Sequence, residues 1–431
     1  MFHSRTAAGA VIAGSLGLLA AAPDAGASGF ALRENSAEGL GMAFAGAGSA
    51  ATDLSTIFNN PAGMTRFNGN VAEAGGSYIF PSFRFTGTAA TNTGAAVAGD
   101  GTANGGTQAF VPAAYGLWSL SPDLKLGISV TAPFGLLNRY SSGWVGRYNA
   151  INTELHTVDV NPAVAYRVND WLALGGGVSA QHEDVRLTQA VRLAPFPDAV
   201  ADLTGADWGF GFNLGALIEP MKDTRVGLAY RSQVYHKVEG NIAFSLPTGL
   251  PGVIAAGFPH SGAKAQLNLP DSVTLSATHD YSPKFSVSAD LQWTHWSLFN
   301  NLTVVRSTTG AVASFTQESW TNSWFGALGA TYKVTDRLSL RGGVAYDQSP
   351  VKDEFRTARI PDQDRYWLAT GLGYEIAPGF GVDLGYTHIF VDSGTISSAF
   401  PVPLAGTATG TLTGSYQNHI DIVSLAAKLR F

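Results

Sequence analysis

The chain has 431 residues and no Cys, and it carries 13% charged residues against 45% hydrophobic ones, with 51 Gly. That composition excludes a disulfide framework, a Cys-based metal site and a charge-rich disordered chain. A net charge of −6 provides no basic field for nucleic acid, so no nucleic-acid partner is expected.

In chain order, an export signal comes first. His3 and Arg5 give a weakly positive start, Ala7 to Ala22 form an apolar stretch, and Ala25-Gly26-Ala27 fits the small-x-small cleavage rule. Residues 1–27 are therefore expected to be a signal peptide, with Ser28 leading the mature chain. No later apolar run reaches the roughly 18 residues that a helical span needs, which leaves a periplasmic protein or a barrel.

Residues 28–67 are small, Gly/Ala-rich and without a sustained alternating face, and are expected to fold back as a plug in the lumen of a barrel formed by residues 68–431. From Gly69 onward the pattern has period two, over stretches of roughly 10 to 16 residues. Leu338, Leu340, Val344 and Tyr346 fall on one face of their segment, opposite Ser339, Arg341, Gly343, Ala345 and Asp347. The last segment sets Val423, Leu425, Ala427, Leu429 and Phe431 against Ser424, Ala426, Lys428 and Arg430.

Turns separate a barrel from a soluble sandwich, because outer-membrane barrels alternate short turns with long external loops. Tight turns are expected at Ser121-Pro122-Asp123, Asn169-Asp170, Glu219 to Thr224, Ser282-Pro283-Lys284, Thr335-Asp336-Arg337 and Ala377-Pro378-Gly379. Longer irregular stretches lie at Gly87 to Thr107, Asn138 to Ala150, Ala194 to Ala206, Ser245 to Gly262, Arg306 to Gln317, Pro350 to Gln363 and Asp392 to Ser415. Seven loops and six turns predict an all-β, fourteen-strand antiparallel transmembrane barrel in the outer membrane of a Gram-negative cell, in contact with lipid and lipopolysaccharide. The nine Trp are expected near strand ends, as interfacial girdles.

Several residues suggest handling of a hydrophobic ligand. Leu246, Leu250, Val253, Ile254 and Phe258 lie in an external loop, where apolar side chains make either a capture groove or a self-packed mini-core. Pro133 and Pro162 fall inside the predicted third and fourth strands, where each removes a ladder donor, and Gly135 removes bulk beside them. This marks either a lateral gap in the wall or a tolerated bulge.

The stretch Ser28 to Leu32 (SGFAL), followed by Ser36 to Gly41 (SAEGLG), Ala43 to Gly48 (AFAGAG) and Asn60-Pro61-Ala62, resembles the N-terminal hatch of FadL-type transporters. Arg341 to Pro350 (RGGVAYDQSP) with Ile360 to Leu368 (IPDQDRYWL) is similar to that family's eleventh and twelfth strands, and Ala132 to Leu136 (APFGL) to the kink of its third. The resemblance implies capture of a long-chain fatty acid or similar molecule by external loops, transfer to an internal pocket, hatch rearrangement and sideways exit, by a monomer with no cofactor. It places Phe30 and Phe134 at the ligand and Asn60, Pro61 and Ala62 in the hatch brace. At the family's hydroxyl, arginine and lysine positions it finds Ala132, Thr188 and Thr316, keeping Asp347 alone. Arg186, expected to face the lumen by alternation, is then the candidate cation, with Arg341 and Arg365 as substitutes or as structural ion pairs with Asp347 and Asp364. Fatty acids and neutral or aromatic hydrocarbons both remain open as ligands, and a general diffusion porin is the alternative of another class. Without G-x-S-x-G, H-E-x-x-H or clustered His, no catalytic or metal site is expected.

Overall fold

The computed structural model describes residues 29–401 and 409–431; the expected signal peptide, with Ser28, lies outside them. Alternating sequence becomes fourteen barrel strands. The first six are β1 (Val71–Thr91), β2 (Ala109–Ser119), β3 (Leu124–Thr131, resumed at Gly135–Arg139), β4 (Asn152–Arg167), β5 (Leu172–Val191) and β6 (Ala199–Met221). Interrupted strands follow: β7 (Thr224–Arg231 and Val234–Ser245), β8 (Ser261–Leu269 and Ser272–Ser282), β9 (Phe285–Thr294 and Asn301–Arg306) and β10 (Val312–Gln317 and Ser323–Lys333). The last are β11 (Leu338–Asp347), β12 (Arg365–Ala377), β13 (Phe380–Val391) and β14 (Thr409–Arg430). Each pairs antiparallel with the next, and β14 closes on β1 from Val71↔Arg430 to Thr91↔Gly410, so the sheet closes on itself.

All six predicted turns separate consecutive strands. The loops differ, because the ladder continues into them. Gly394–Pro401 pairs with β14 and Thr102–Asn104 with β1, while the stretch Arg306 to Gln317 is mostly the hairpin between β9 and β10.

Alternation sorts the side chains as the sequence predicts. Leu340, Val344 and Tyr346 stand exposed on the outer face, while Arg341, Ala345 and Asp347 point inward. Four of the nine Trp depart from the girdle expectation. Trp118, Trp171, Trp208 and Trp324 are exposed on the outside, but Trp144, Trp296, Trp320 and Trp367 are buried. Strand interruptions turn Trp296 and Trp320 inward and a returning loop turns Trp144, while Trp367 points inward by the alternation of β12.

Residues 29–67 fold into two single-turn helices, α1 (Ala37–Leu40) and α2 (Thr56–Asn59), and a 3-10 turn at Pro61–Arg66. The segment touches strands on every side. Ser36 caps α1 by accepting Gly39 N at 2.8 Å, and Glu38 in that turn meets Arg341 of β11 at 3.1 Å. Arg341 also holds Asp383 of β13 at 2.7 Å, and Leu54 N donates to Glu73 of β1 at 2.9 Å. Opposite, Asn60 is fully buried, donating to Gly48 O at 2.7 Å and Ala216 O of β6 at 3.0 Å. Inward glycines make this approach feasible: a Cβ on Gly215 would lie 2.0 Å from Asn60 Oδ1, and one on Gly227 1.9 Å from Gly48 O. Asn60, Pro61 and Ala62 thus sit against wall glycines, with Ala62 packed on Ala173 and Leu217.

Candidate functional site

Three places along the inside of the barrel can take a ligand: a cavity beneath the loops, a smaller pocket against residues 29–67, and a break in the wall beside that pocket.

The outer cavity measures about 800 Å³, within the size range of ligand sites, and Leu187, Leu203, Ile242, Phe244, Phe258 and Phe315 form its apolar wall. Of the predicted loop residues, Phe258 lines it and packs on Phe244 at 5.5 Å between ring centroids. Leu246, Leu250 and Ile254 are half-buried in the loop above, and Val253 is exposed. Arg359 and Arg306 also reach the cavity. Arg359 donates to Gln189 at 2.7 Å and Thr153 at 3.1 Å, and burial pushes its guanidinium down to about 10, with Glu318 pulling the other way.

The inner pocket is smaller, about 110 Å³, bounded by Leu32, Arg33, Phe44, Phe58, Phe134, Arg231 and Phe325. Its rim is an aromatic box. Phe30, only 1% exposed, lies 4.8 Å from Trp296, 5.6 Å from Phe299, 5.7 Å from Trp320 and 6.0 Å from Phe134, centroid to centroid. Gly29, at φ +62°, aims Phe30 into the box; a Cβ there would lie 2.6 Å from the Trp320 ring.

Two arginines face this pocket, and neither was among the predicted site residues. Arg33 stacks 3.7 Å over Phe325 and Arg231 3.6 Å over Phe58. Among the described residues neither forms an ion pair; Arg231 donates to Phe58 O at 3.0 Å. Burial pushes the Arg33 guanidinium below its ordinary value, against the pull of Asp347 and Glu34. Alternation from the outward Leu228 already turns Arg231 inward; Arg33 carries no periodic signal, since it lies in the irregular segment.

Arg186 requires a correction. It shares the outward face of β5 with Val178, is about half exposed, and pairs with Asp202 at 2.7 Å. The lumen-facing residues of that stretch are its neighbours Leu187 and Gln189. Arg341 is engaged by Glu38 and Asp383 rather than by Asp347, and Arg365 pairs with Asp362 while standing opposite Asp347 in the ladder. Asp364 instead accepts Ser349 N at 2.9 Å.

The wall break lies between β2 and β3. Their ladder ends at Ala114↔Val130 and resumes only as a bridge at Gly106↔Asn138. Between β3 and β4 the register shifts by one, from Thr131↔Asp159 to Gly135↔His156, so Ala132-Pro133-Phe134 form a bulge. Its free edge is met by the inner segment: Leu32 N donates to Pro133 O at 2.8 Å and Gly135 N to Phe30 O at 2.9 Å.

Pro162 behaves otherwise. The β4–β5 register is the same on both sides of it, Val160↔Ala180 and Ala163↔Gly177, with only the pairs at Asn161 and Pro162 missing. Asn161 Nδ2 donates to Val178 O at 2.7 Å, in place of the absent backbone donor.

A closed fourteen-strand barrel with an apolar outer belt and an irregular N-terminal segment seated inside it is an outer-membrane barrel. The family described as outer membrane protein transport protein (OMPP1/FadL/TodX) matches residues 18–431, and the chain belongs to it. A Salmonella typhi long-chain fatty acid transport protein is 31% identical over 385 residues, 84% of this chain and 87% of the relative. Outer membrane protein P1 of Haemophilus influenzae is 32% identical over 414 residues, 86% and 88% of the two chains. The crystal structure of a Pseudomonas aeruginosa FadL homologue superposes with a TM-score of 0.88 at 27% identity, covering 94% of this chain and 100% of that one. The Ralstonia pickettii toluene transporter TbuX, at 18% identity and a TM-score of 0.67 over 94% and 99% of the chains, shares the fold.

Proposed function

We propose that this protein carries long-chain fatty acids passively across the outer membrane: in through the outer cavity, down to the inner pocket, and out sideways between β2 and β3. The observation that carries the choice of ligand is the pair Arg33 and Arg231, two cations that form no salt bridge among the described residues, on the wall of a pocket they share with aromatic rings, Asp290 and several neutral polar side chains. An ionised head group entering a poorly hydrated site needs such partners. The alkyl chain extends past the aromatic box, each buried CH₂ contributing roughly 0.8 kcal/mol. Exit then requires Phe30–Leu32 to release the β3 edge, and residues 29–67, rather than a porin-like open eyelet, fill the lumen.

The relatives named as long-chain fatty acid transport proteins support this reading. The four aromatic side chains around Phe30 favour a second one, uptake of aromatic hydrocarbons through the same route. Titrating oleate and oleyl alcohol at pH 8 into the wild type, Arg33→Ala and Arg231→Ala separates the two. A hydrogen bond to a charged group contributes about 1.5–3 kcal/mol, so each variant should bind oleate roughly ten- to a hundredfold more weakly and the alcohol unchanged. Equal binding of both ligands by the wild type, unaltered by either substitution, would refute the carboxylate reading.

A further inference from the structure

Well away from the β2–β3 break, the wall is irregular a second time, between β8 and β9. Their ladder climbs from Ser282↔Phe285 to Ser272↔Thr294 and resumes only at Ala265↔Val304. No ladder pair joins residues 266–271 of β8 to residues 295–303 of β9, six residues against nine. On its other side β8 keeps one register against β7 through the same interval, Arg231↔Ser272 and then Val234↔Leu269. The irregularity therefore belongs to β9. Its surplus turns into the lumen at the 3-10 turn Trp296–Leu298, leaving Trp296 and Phe299 only 1% and 5% exposed.

On the outside this leaves a cavity of about 520 Å³. Lys237 and Glu239 of β7 and Lys264, Gln266 and Asn268 of β8 line it from the outer face, while Leu298 and Phe299 line it from β9. Phe299 also stands 5.6 Å from Phe30 and 4.8 Å from Trp320, so one residue borders both the cavity and the aromatic box. Lys264 is paired with Glu239 at 2.6 Å, whereas Lys237 Nζ has neither an ion pair nor a hydrogen bond among the described residues.

Depth decides what this cavity can meet. The paired stretch below it, 11 residues of β8 and 10 of β9, already has the length of a membrane strand, and its outward Val273, Leu275 and Leu291 are exposed and apolar. The window opens where that stretch ends, at the level of the outer-leaflet head groups, so its unpaired backbone meets water and polar heads rather than hydrocarbon. The β2–β3 break lies deeper, above only 8 residues of β3.

We propose that this window is a second lateral opening, a site that takes a single-chain anionic amphiphile from the outer leaflet, with the carboxylate on Lys237, the alkyl chain on Leu298 and Phe299, and Phe299 as the partition before the aromatic box. The inference rests on the fatty-acid reading and adds to it a supply from the membrane beside the supply from the outer cavity. The lining singles out the amphiphile. A neutral hydrocarbon would have to cross a rim of lysines, glutamate and amides, whereas a fatty acid leaves its head in that rim and passes only its chain inward.

The test places p-benzoylphenylalanine singly at Gln266, at Asn301 or, as a control, at Gln417, an exposed residue of β14 opposite another cation, Arg84. Each full-length mature protein is reconstituted in bilayers carrying a trace of alkyne-tagged oleate and irradiated. Labelling at Gln266 and Asn301 should exceed that at Gln417 at least tenfold and be competed by untagged oleate. Lys237→Ala should lower it about tenfold and leave labelling by tagged oleyl alcohol unchanged. Because the chain has no Cys, Asn268→Cys supplies a single thiol in the window. A bulky maleimide on it should slow loading of the protein from bilayer-dissolved oleate at least fivefold, while the equilibrium affinity in detergent stays within about twofold. Equal labelling at the three positions, labelling indifferent to Lys237→Ala, or loading indifferent to the maleimide would each overturn the window. These yields are read whether or not Arg33 and Arg231 select a carboxylate, so a wild type that binds oleate through those arginines yet labels all three positions alike refutes the window alone.

Discussion

Pro133 and Pro162 occupy adjacent strands and remove the same group, a backbone N–H, yet the wall responds in opposite ways. At Pro162 the ladder keeps its register and the missing donor is replaced from within the wall, by the Asn161 side chain. At Pro133 the register slips, β2 drops away, and the exposed edge is completed from the lumen by Phe30 and Leu32. The two prolines thus differ in where the substitute partner comes from, the wall itself at Pro162 and a separate segment at Pro133. On the proposed exit route only the second closure has to let go.

Removing that separate segment should have the largest effect. Deleting residues 28–60 leaves the Asn161 contact to Val178 in place but strips the β3 edge and empties a lumen too wide for side chains to fill. Planar-bilayer recordings should show a large, steady conductance where the full chain is nearly silent. Unchanged low conductance would assign closure to the loops.

Closing the opening comes next. Pro133→Val with Gly135→Val restores a donor and adds bulk at the break, and should reduce cellular oleate uptake tenfold or more while leaving binding in the outer cavity intact. Pro162→Val adds a donor where one has already been supplied, so uptake should stay within about twofold of wild type. Equal losses from the two prolines would remove the distinction between them.

The sequence showed both prolines but not which of the two sits at a break in the ladder. Period-two alternation and turn chemistry carried the strand count, every turn and the closure of β14 on β1, because each strand has one lipid face and one lumen face. The register slip at Ala132-Pro133-Phe134 was not legible: it depends on how β3 pairs with β4, and a single strand's pattern contains no information about its partner. The same blindness explains Arg186. Its charge alternates with apolar neighbours as a lumen residue's would, but high on the barrel, outside the apolar belt, charge on the outer face costs little, so polarity ceases to report direction. Arg33 was hidden because the inner segment has no period at all, and Trp296 and Trp320 because interruptions in β9 and β10 turn their rings inward. Phe30, Phe134 and the Asn60-Pro61-Ala62 brace were found through resemblance to a family; composition alone would have left them as packing residues.

A third variant measures the wall-side closure itself. Asn161→Ala strands Val178 O and deprives Asn213 Oδ1 of a contact at 3.3 Å, and Asn213 in turn donates to the Ile57 and Phe58 carbonyls of α2 at 3.2 Å. An unsatisfied buried carbonyl costs about 1–3 kcal/mol, so urea unfolding in lipid vesicles should show a loss of that order. Adding Pro162→Val to Asn161→Ala returns a backbone donor to the same carbonyl and should recover part of the loss. Failure of the double variant to recover any would mean that Asn161 acts through Asn213 and α2 rather than through the ladder.

The smallest effect should be a pH dependence that touches the lumen-side closure and spares the other. Glu34 lies two residues beyond Leu32, which holds Pro133, and is 3% exposed. Burial pushes its carboxyl from the ordinary 4.5 up to about 7, with the backbone N–H of Arg33, donating at 2.9 Å, working against the rise. The seated segment therefore holds a proton that the released segment has already given up between pH 4.5 and 7. Stability of the seated form is greatest below that window, declines as pH rises through it, and levels off above. Amide hydrogen exchange at residues 30–35, corrected for its intrinsic rate, should accelerate several-fold from pH 5 to pH 8, while exchange at Val178 to Ala180 beside the Asn161 contact should stay level. Asp53, which burial and then Glu38 also push upward, contributes its own slope at residues 53–60. Glu34→Gln should thus flatten the profile at residues 30–35 and leave that second one standing. A profile at residues 30–35 that keeps its slope in Glu34→Gln would place the titrating group elsewhere and detach the β3 closure from pH.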